Sequence, residues 1–208
     1  RLSSVDEQYF TDSSPATADE VRTIEVSARG FDLSMGVSSR VFSGSKLDLG
    51  TRQLLEIAPD LPEGGTFLDL GCGWGPIATI MSLESPNAAV WAVDVNSRAV
   101  DLTQRNAQSN GASGVRALKA EEALAASRES DTRFDVIWSN PPVRIGKDAM
   151  HEMLLAWLGR IAPTGVAYLV VQRNLGADSL ITWLNGQGLQ ASKYASKKGF
   201  RIIEVRPA

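Results

Sequence analysis

The chain has 208 residues, 43% hydrophobic and 22% charged, enough for one sizeable core but short for two full domains. Its net charge of −3, from 21 basic and 24 acidic side chains, argues against broad nonspecific nucleic-acid binding and leaves room for a local basic patch. The single cysteine, Cys72, rules out an internal disulfide or a Cys-rich metal site, and the single histidine, His151, argues against a zinc enzyme, so no metal is expected.

No apolar run approaches the roughly 20 residues that cross a bilayer, and no membrane association is expected. The cysteine usage fits a reducing, cytoplasmic compartment. Arg1 to Asp6 lacks the charged-then-apolar layout of a signal peptide, and the missing initiator Met suggests that a few native residues precede Arg1. Thr11-Asp12-Ser13-Ser14-Pro15-Ala16 reads as an irregular lead-in. Val21 to Val26 and Phe31 to Met35 read as two strands joined by a turn at Arg29-Gly30. One hairpin cannot support itself, so this is a small β element rather than a domain. A short helix follows from Gly50-Thr51 to Ala58, with Thr51 as its expected N-cap. Pro59 to Gly65 ends it, which divides the chain into an extension, 1–58, and a main unit, 59–208.

From Thr66 onward, strand-like runs at 66–70, 89–94, 115–118, 134–138 and 166–171 alternate with helical stretches at 76–85, 97–109, 121–127 and 147–161. The clearest helix is 147–161, where Met150, Met153, Leu154, Trp157, Leu158 and Ile161 form one apolar stripe. Such alternation predicts an α/β, doubly wound, mostly parallel sheet. After a helix near 177–186, Leu189–Tyr194 and Phe200–Val205 are linked by Ala195 to Gly199, so this last pair is antiparallel. A parallel sheet finished by an antiparallel hairpin is the Rossmann-like layout of class I methyltransferases.

The first strand of that sheet runs into Asp69-Leu70-Gly71-Cys72-Gly73-Trp74-Gly75-Pro76. In open α/β sheets ligands bind at the carboxyl ends of strands. Gly71, Gly73 and Gly75 let backbone approach a ligand closely, and Pro76 suits the first turn of the next helix. The spacing is G-x-G-x-G, not the dinucleotide G-x-G-x-x-G. An acid at Asp69 can receive an α-ammonium, directly or through water, which a pyrophosphate loop would not want. The second strand ends in Asp94, followed by Val95; a carboxylate there can accept from ribose hydroxyls. After the third strand, Ala120-Glu121-Glu122 offers an acceptor for an adenine amino group at Glu121, or simply acids at a helix start. Cys72 is expected to touch the cofactor through its backbone, with nothing nearby to make it a nucleophile.

Asn140-Pro141-Pro142-Val143 follows the fourth strand on the same sheet edge. The Asn140 amide oxygen and the Pro141 carbonyl can both accept from one NH₂ group and hold it in line with a methyl donor, a large catalytic term that needs no strong base. A rigid strand-ending turn is the plainer alternative. Together the two loops predict an S-adenosylmethionine-dependent enzyme that methylates a planar nitrogen.

With Val41-Phe42-Ser43, Lys46-Leu47-Asp48, Gly50-Thr51, Val93-Asp94-Val95-Asn96 and the two loops above, the chain resembles the methyltransferase small-domain family from about Tyr9-Phe10 to its end. That family includes small-subunit ribosomal RNA guanine-N2 methyltransferases, which carry two related domains where this chain has one. The resemblance implies catalytic roles for Asn140, Pro141, Pro142 and Val143. Cofactor contacts are implied at Asp69, Gly71, Cys72, Gly73, Gly75, Asp94, Val95, Ala120, Glu121 and Asn140. It implies ribosomal RNA or the small subunit as partner, with oligomeric state open. Relatives often carry an aromatic where this chain has Val143. Arg144 can stack by its guanidinium plane or hold a phosphate, and Lys147 can reach the backbone; both can also be plain surface charges. Lys46 and Asp48 can border the pocket, or Asp48 can help start the helix at Thr51. His151 reads as a partly buried side chain, and Lys193, Lys197, Lys198 and Arg201 as a solvated turn or a phosphate contact. Rival functions are protein-glutamine methylation, DNA-adenine methylation and a noncatalytic cofactor- or RNA-binding module.

Overall fold

The computed structural model describes residues 21–41, 44 and 46–208. The lead-in expected over Thr11–Ala16 lies outside them, as do Tyr9, Phe10, Phe42 and Ser43. Strands β1 (Val21–Ala28) and β2 (Phe31–Ser38) pair antiparallel from Val21↔Ser38 to Ala28↔Phe31. Arg29 (φ 52°) and Gly30 (φ 83°) are both left-handed, the backbone of a two-residue turn that matches strand twist. Arg29 keeps this conformation because its side chain is heavily engaged. Its guanidinium donates to both Glu84 carboxylate oxygens and to the carbonyls of Leu55 and Ala58.

Helix α1 (Leu49–Ile57) starts earlier than its sequence suggests, and its N-cap is Asp48 rather than Thr51. The Asp48 carboxylate accepts from the Thr51 N–H at 3.2 Å; a carboxylate three residues before Thr51 caps from outside the helix, and leaves the Thr51 hydroxyl free for other work.

The main unit then runs β3 (Thr66–Leu70), α2 (Pro76–Glu84), β4 (Ala89–Asp94), α3 (Ser97–Ser109), β5 (Val115–Lys119) and α4 (Ala120–Glu129). It continues with β6 (Phe134–Ser139), α5 (Lys147–Leu158), β7 (Ile161–Gln172), α6 (Ala177–Gly186), β8 (Gln190–Lys197) and β9 (Phe200–Arg206). Among the described residues these strands form one seven-stranded sheet, in the order β5-β4-β3-β6-β7-β9-β8. The first five in sequence are parallel, and β9 lies antiparallel between β7 and β8.

Two boundaries differ from the sequence reading. The helix expected over 147–161 ends at Leu158, and Ile161 instead opens β7, opposite Phe134. Pro163 cannot continue a helix and pushes Ala162 into extended backbone. The register then jumps from Ile161 to Val166 through a bulge, where a Cβ on Gly165 would stand 2.6 Å from the Phe134 carbonyl oxygen. At the C-terminus the link is not Ala195–Gly199 but a two-residue turn, Lys198 (φ 50°) and Gly199 (φ 81°). The register shifts between Lys193 and Ala195, and this irregularity lets β8 continue past Tyr194. Its lysines sit on an edge strand, where charge discourages further pairing.

The sheet separates two apolar layers. Phe67, Val90, Val136, Trp138 and Ile202 face the hairpin, α1 and α2, with Ile24, Leu33, Met35, Leu54 and Met81 in the same cluster. Leu68, Leu70, Val93, Ile137 and Leu169 face the other way, toward α5 and α6. Alternation along each strand puts successive residues on opposite layers. The hairpin and α1, the described parts of the extension, thus share a core with the main unit. Between β3 and its two neighbours, β4 and β6, the strand order changes direction. This is the switch point, and the loops after β3 and β6 leave it side by side.

Candidate active site

Beyond Leu70 the chain passes through Gly71 (φ 77°), Gly73 (φ 56°) and Gly75 (φ 98°), all in the left-handed region. The N–H groups of Gly71 and Cys72 both donate to the Val93 carbonyl at 2.9 Å, which ties the loop to β4. Gly75 is doubly required, because a Cβ there would also stand 3.0 Å from Thr103 Cα. Helix α3 braces the loop from behind. Thr103 Oγ1 donates to the Gly73 carbonyl at 2.9 Å, and Asn106 Nδ2 to that of Trp74 at 2.7 Å. Asn106 also exchanges two hydrogen bonds with the Gly36 backbone, so one side chain joins hairpin and glycine loop.

Asp94 closes this side. Its Oδ2 accepts from the Gly73 N–H at 2.9 Å and its Oδ1 from the Asn96 N–H at 3.0 Å. Burial raises its pKa, against which the backbone N–H groups of Asn96, Gly73 and Val95 favour the carboxylate. Each oxygen keeps a lone pair for a further donor. Val95, 55% exposed, is an apolar side chain left open beside it. Asp69 is placed differently. It is fully buried, Oδ2 accepts from the Ala78 N–H at 2.9 Å, and Oδ1 is buried without a hydrogen-bond partner. Burial pushes its pKa up to about 8, with the Ala78 N–H opposing and Asp94 adding to the rise. It is therefore largely protonated at neutral pH, and it pins the start of α2 to β3. Burial likewise raises the Cys72 thiol well above its ordinary range, helped by Asp94, which argues against a nucleophile.

The neighbouring loop is fastened at its base by Ser139 Oγ, which donates to the Leu70 carbonyl at 2.7 Å. Asn140 follows. Its Nδ2 donates to Asp48 Oδ2 at 2.9 Å and to Thr51 Oγ1 at 3.1 Å. The Pro141 carbonyl accepts the Val143 N–H at 2.9 Å within the turn that leads into a short 3₁₀ segment, Val143–Ile145. One of its two lone pairs is thereby used and one remains.

These loops enclose a cavity of about 490 Å³, a volume in the range of small-molecule sites. Of the residues singled out from sequence as cofactor contacts, Gly71, Cys72, Gly73, Asp94, Val95 and Ala120 line it. Asn140, Pro141 and Pro142 line the opposite part. Asp69, Gly75, Glu121, Val143, Lys46, Arg144 and Lys147 do not. Gly75 caps α2, Glu121 is exposed on the first turn of α4, and Val143 packs toward the α5–α6 layer. Lys46, Arg144 and Lys147 are exposed. His151 also stands off the wall, stacked on Trp183 with ring centroids 3.5 Å apart. Lys197 pairs with Glu56 and Arg201 with Asp178.

Asp48 borders the cavity, as one of its two sequence readings has it, and Val41, Leu47, Thr51, Trp74, Ile145 and Met153, to which the sequence analysis gives no site role, also line it. Met153 belongs to the apolar stripe of α5, so periodicity assigned it to the core. Thr51 is expected from sequence only as an N-cap, whereas Asp48 is expected either to border the pocket or to start the helix, and it does both. The geometry suits an S-adenosyl group: Gly73 lines the cavity and leaves open space where a Cβ would stand, and Asp94 can still accept from paired hydroxyls.

A family model described as methyltransferase small domain matches residues 32–204. The chain is 30% identical over 200 residues to the uncharacterized protein YbxB of Bacillus subtilis, covering 96% of this chain and 98% of that protein. It is 40% identical over 174 residues to ribosomal RNA small subunit methyltransferase C of Chromohalobacter salexigens, covering 79% of this chain but 49% of that enzyme. A solved structure of the T. thermophilus 16S rRNA N2 G1207 methyltransferase, in complex with AdoMet and guanosine, superposes with a TM-score of 0.77 at 23% identity, covering 93% of this chain and 52% of that one. The chain thus spans about half the length of these two enzymes. A glycine cradle and an Asn-Pro-Pro loop at one switch point, a family match across most of the chain and a shared fold agree, and the protein belongs to the methyltransferase small-domain family, whose cofactor is S-adenosylmethionine.

Proposed function

We propose that the protein methylates the exocyclic N2 of a guanine in ribosomal RNA, with small-subunit RNA as the first candidate. The observation that carries this reading is the single cavity shared by Asp94, the glycine loop and Asn140-Pro141-Pro142. The kinship with an rRNA methyltransferase over 79% of the chain supports the choice of RNA. Such a substrate gives the protein a cytoplasmic place of work.

The bound cofactor supplies a methyl group activated on a sulfonium. In our reading Asp94 accepts from the ribose hydroxyls, Val95 and Ala120 flank the adenine ring, and Glu121 or nearby backbone meets its amino group. Asp69 acts on the glycine loop from behind. Asn140 Oδ1 and the free lone pair of the Pro141 carbonyl accept N–H from the acceptor amine and hold it in orientation. With the cofactor bound there, the amine nitrogen would take the methyl carbon as the carbon–sulfur bond breaks, and the surplus proton would leave to water. The base must be turned out of its stack, or be presented in a loop. Val143 offers no ring, so Ile145 and Met153 supply the apolar wall beside the base. Arg144, Lys147 and Lys46 are the cations we assign to the RNA around it.

Labelled methyl transfer to transcribed small- and large-subunit rRNA, to intact small subunits and to a protein extract tests this proposal. N2-methylguanosine in digested small-subunit RNA is the expected product. Label in protein glutamine alone, or in DNA adenine alone, would overturn it.

A further inference from the structure

We propose that Asp48 and Thr51 are positioning residues that set which end of the Asn140 amide faces the cavity, and so make the site select an amine over a carbonyl oxygen. The inference rests on the clamp reading of Asn140 given above. The two ends of an asparagine amide are nearly the same size, and turning the group over exchanges acceptor for donors at little steric cost. Something outside the residue must therefore decide. Asp48 does so, because a carboxylate only accepts. With Nδ2 at 2.9 Å from Asp48 Oδ2 the contact is a charge-assisted hydrogen bond. With the amide reversed, two oxygens would face each other without a proton between them. Thr51 Oγ1, at 3.1 Å, accepts from the same NH₂ but could equally donate to an oxygen. It supports the choice that Asp48 makes. With the NH₂ turned to α1, what Asn140 has left to offer the cavity is Oδ1, an acceptor. A donor such as an exocyclic amine fits against it; a keto oxygen is repelled.

Two further features fix Asp48 itself. The same Oδ2 that takes Asn140 also caps α1 through the Thr51 N–H at 3.2 Å, so the oxygen cannot swing away without uncapping the helix. Gly50 makes the approach possible: a Cβ there would lie 3.1 Å from Phe200 Cε1, 3.2 Å from Asp48 Oδ2 and 3.4 Å from Asn140 Nδ2. Asp48, Gly50 and Thr51 thus act together on one amide, across 92 residues of chain from Asp48.

The test separates the cap from the clamp. Asp48→Ser keeps a capping oxygen but is too short to hold Asn140; Asp48→Asn keeps both the cap and the reach, because the cap holds its oxygen on the correct side. The first readout is the Asn140 side-chain amide by ¹⁵N NMR, assigned by its loss in Asn140→Asp, and it needs no turnover. Exchange of its protons with water should quicken about tenfold in Asp48→Ser and stay slow in Asp48→Asn. The second is methyl transfer to transcribed small-subunit rRNA, with cofactor Kd measured by calorimetry. Asp48→Ser should lower kcat about tenfold with Kd within about twofold, and Asp48→Asn should recover most of it. Unchanged amide exchange in Asp48→Ser overturns the proposal, as does a released amide with undiminished kcat. The clamp reading fails separately, if Asn140→Ala retains full turnover.

Discussion

The two halves of the cavity are built in different ways. The cofactor side is local: Gly71, Cys72, Gly73, Asp94 and Asn96 lie within one β-α-β stretch, and hydrogen bonds involving their own backbone hold them. The acceptor side is held from far away. Asn140 takes its orientation from Asp48 and Thr51, 92 and 89 residues earlier in the chain. In our reading cofactor binding rests mainly on residues between Gly71 and Ala120, whereas presentation of the acceptor draws on α1 and the far side of the sheet together. Damage to one half should leave the other working.

The largest separation should come from Asn140→Ala. We expect kcat to fall by about 10²–10³-fold, the scale of losing a preorganised polar group at a reacting centre, while cofactor affinity by calorimetry stays within about twofold. A matched loss of cofactor affinity would show that the halves are not independent. Asp94→Ala should do the reverse. It removes a charged acceptor and strands the Gly73 and Asn96 N–H groups. The cofactor Kd should therefore rise about 10- to 100-fold, and unchanged affinity would remove Asp94 from the cofactor side.

A third, smaller effect concerns stability rather than chemistry. Asp69 has its pKa raised from 3.8 to about 8 in the folded chain. Below about pH 4 both folded and unfolded chains hold this proton. Between about 4 and 8 the unfolded chain releases it and the folded chain does not, so this group costs stability as pH rises, and the cost levels off above about 8. The slope is at most about 1.4 kcal/mol per pH unit. Asp69→Asn should abolish that slope, read as a difference in urea midpoints that shifts in the variant's favour from pH 5 to pH 8. Parallel pH profiles would mean that Asp69 is not desolvated. The smallest effect is expected at Lys197, whose 3.6 Å pair with Glu56 joins β8 to α1 with both partners roughly half exposed. Lys197→Ala should change stability by less than about 0.5 kcal/mol and kcat by less than twofold. A larger change would mean that this ion pair, rather than apolar packing of Leu54 and Leu55, holds α1 in place.

What could be read from the sequence follows the same division. The alternation of strands and helices, the glycine loop and Asp94 depend on residues close together in the chain, and period and spacing expose them. Pro163 was available as a breaker, yet the apolar stripe hid it, because Ile161 continues the period of α5 while actually starting β7. The Asp48–Asn140 contact could not be read at all. Nothing in either segment names its partner, and the Asp48 carboxylate looks sufficiently employed as a cap. Met153 and Ile145 were hidden for a related reason: an apolar side chain facing a cavity obeys the same period as one facing a core.

The distance in sequence between Asp48 and Asn140 also orders events during synthesis. The hairpin and α1 are made before the cofactor cradle, which is complete in covalent terms once Ala120 has been added. Asn140 comes later, and α1 lies against β7 and β9, of which β9 follows β7 by some 28 residues. A chain caught before β9 emerges would own every residue of the cradle and yet lack part of the surface that seats α1. We expect such a product, stalled or cut, to recognise the cofactor without holding an acceptor in orientation, so β9 licenses the chemistry although it supplies no group to it.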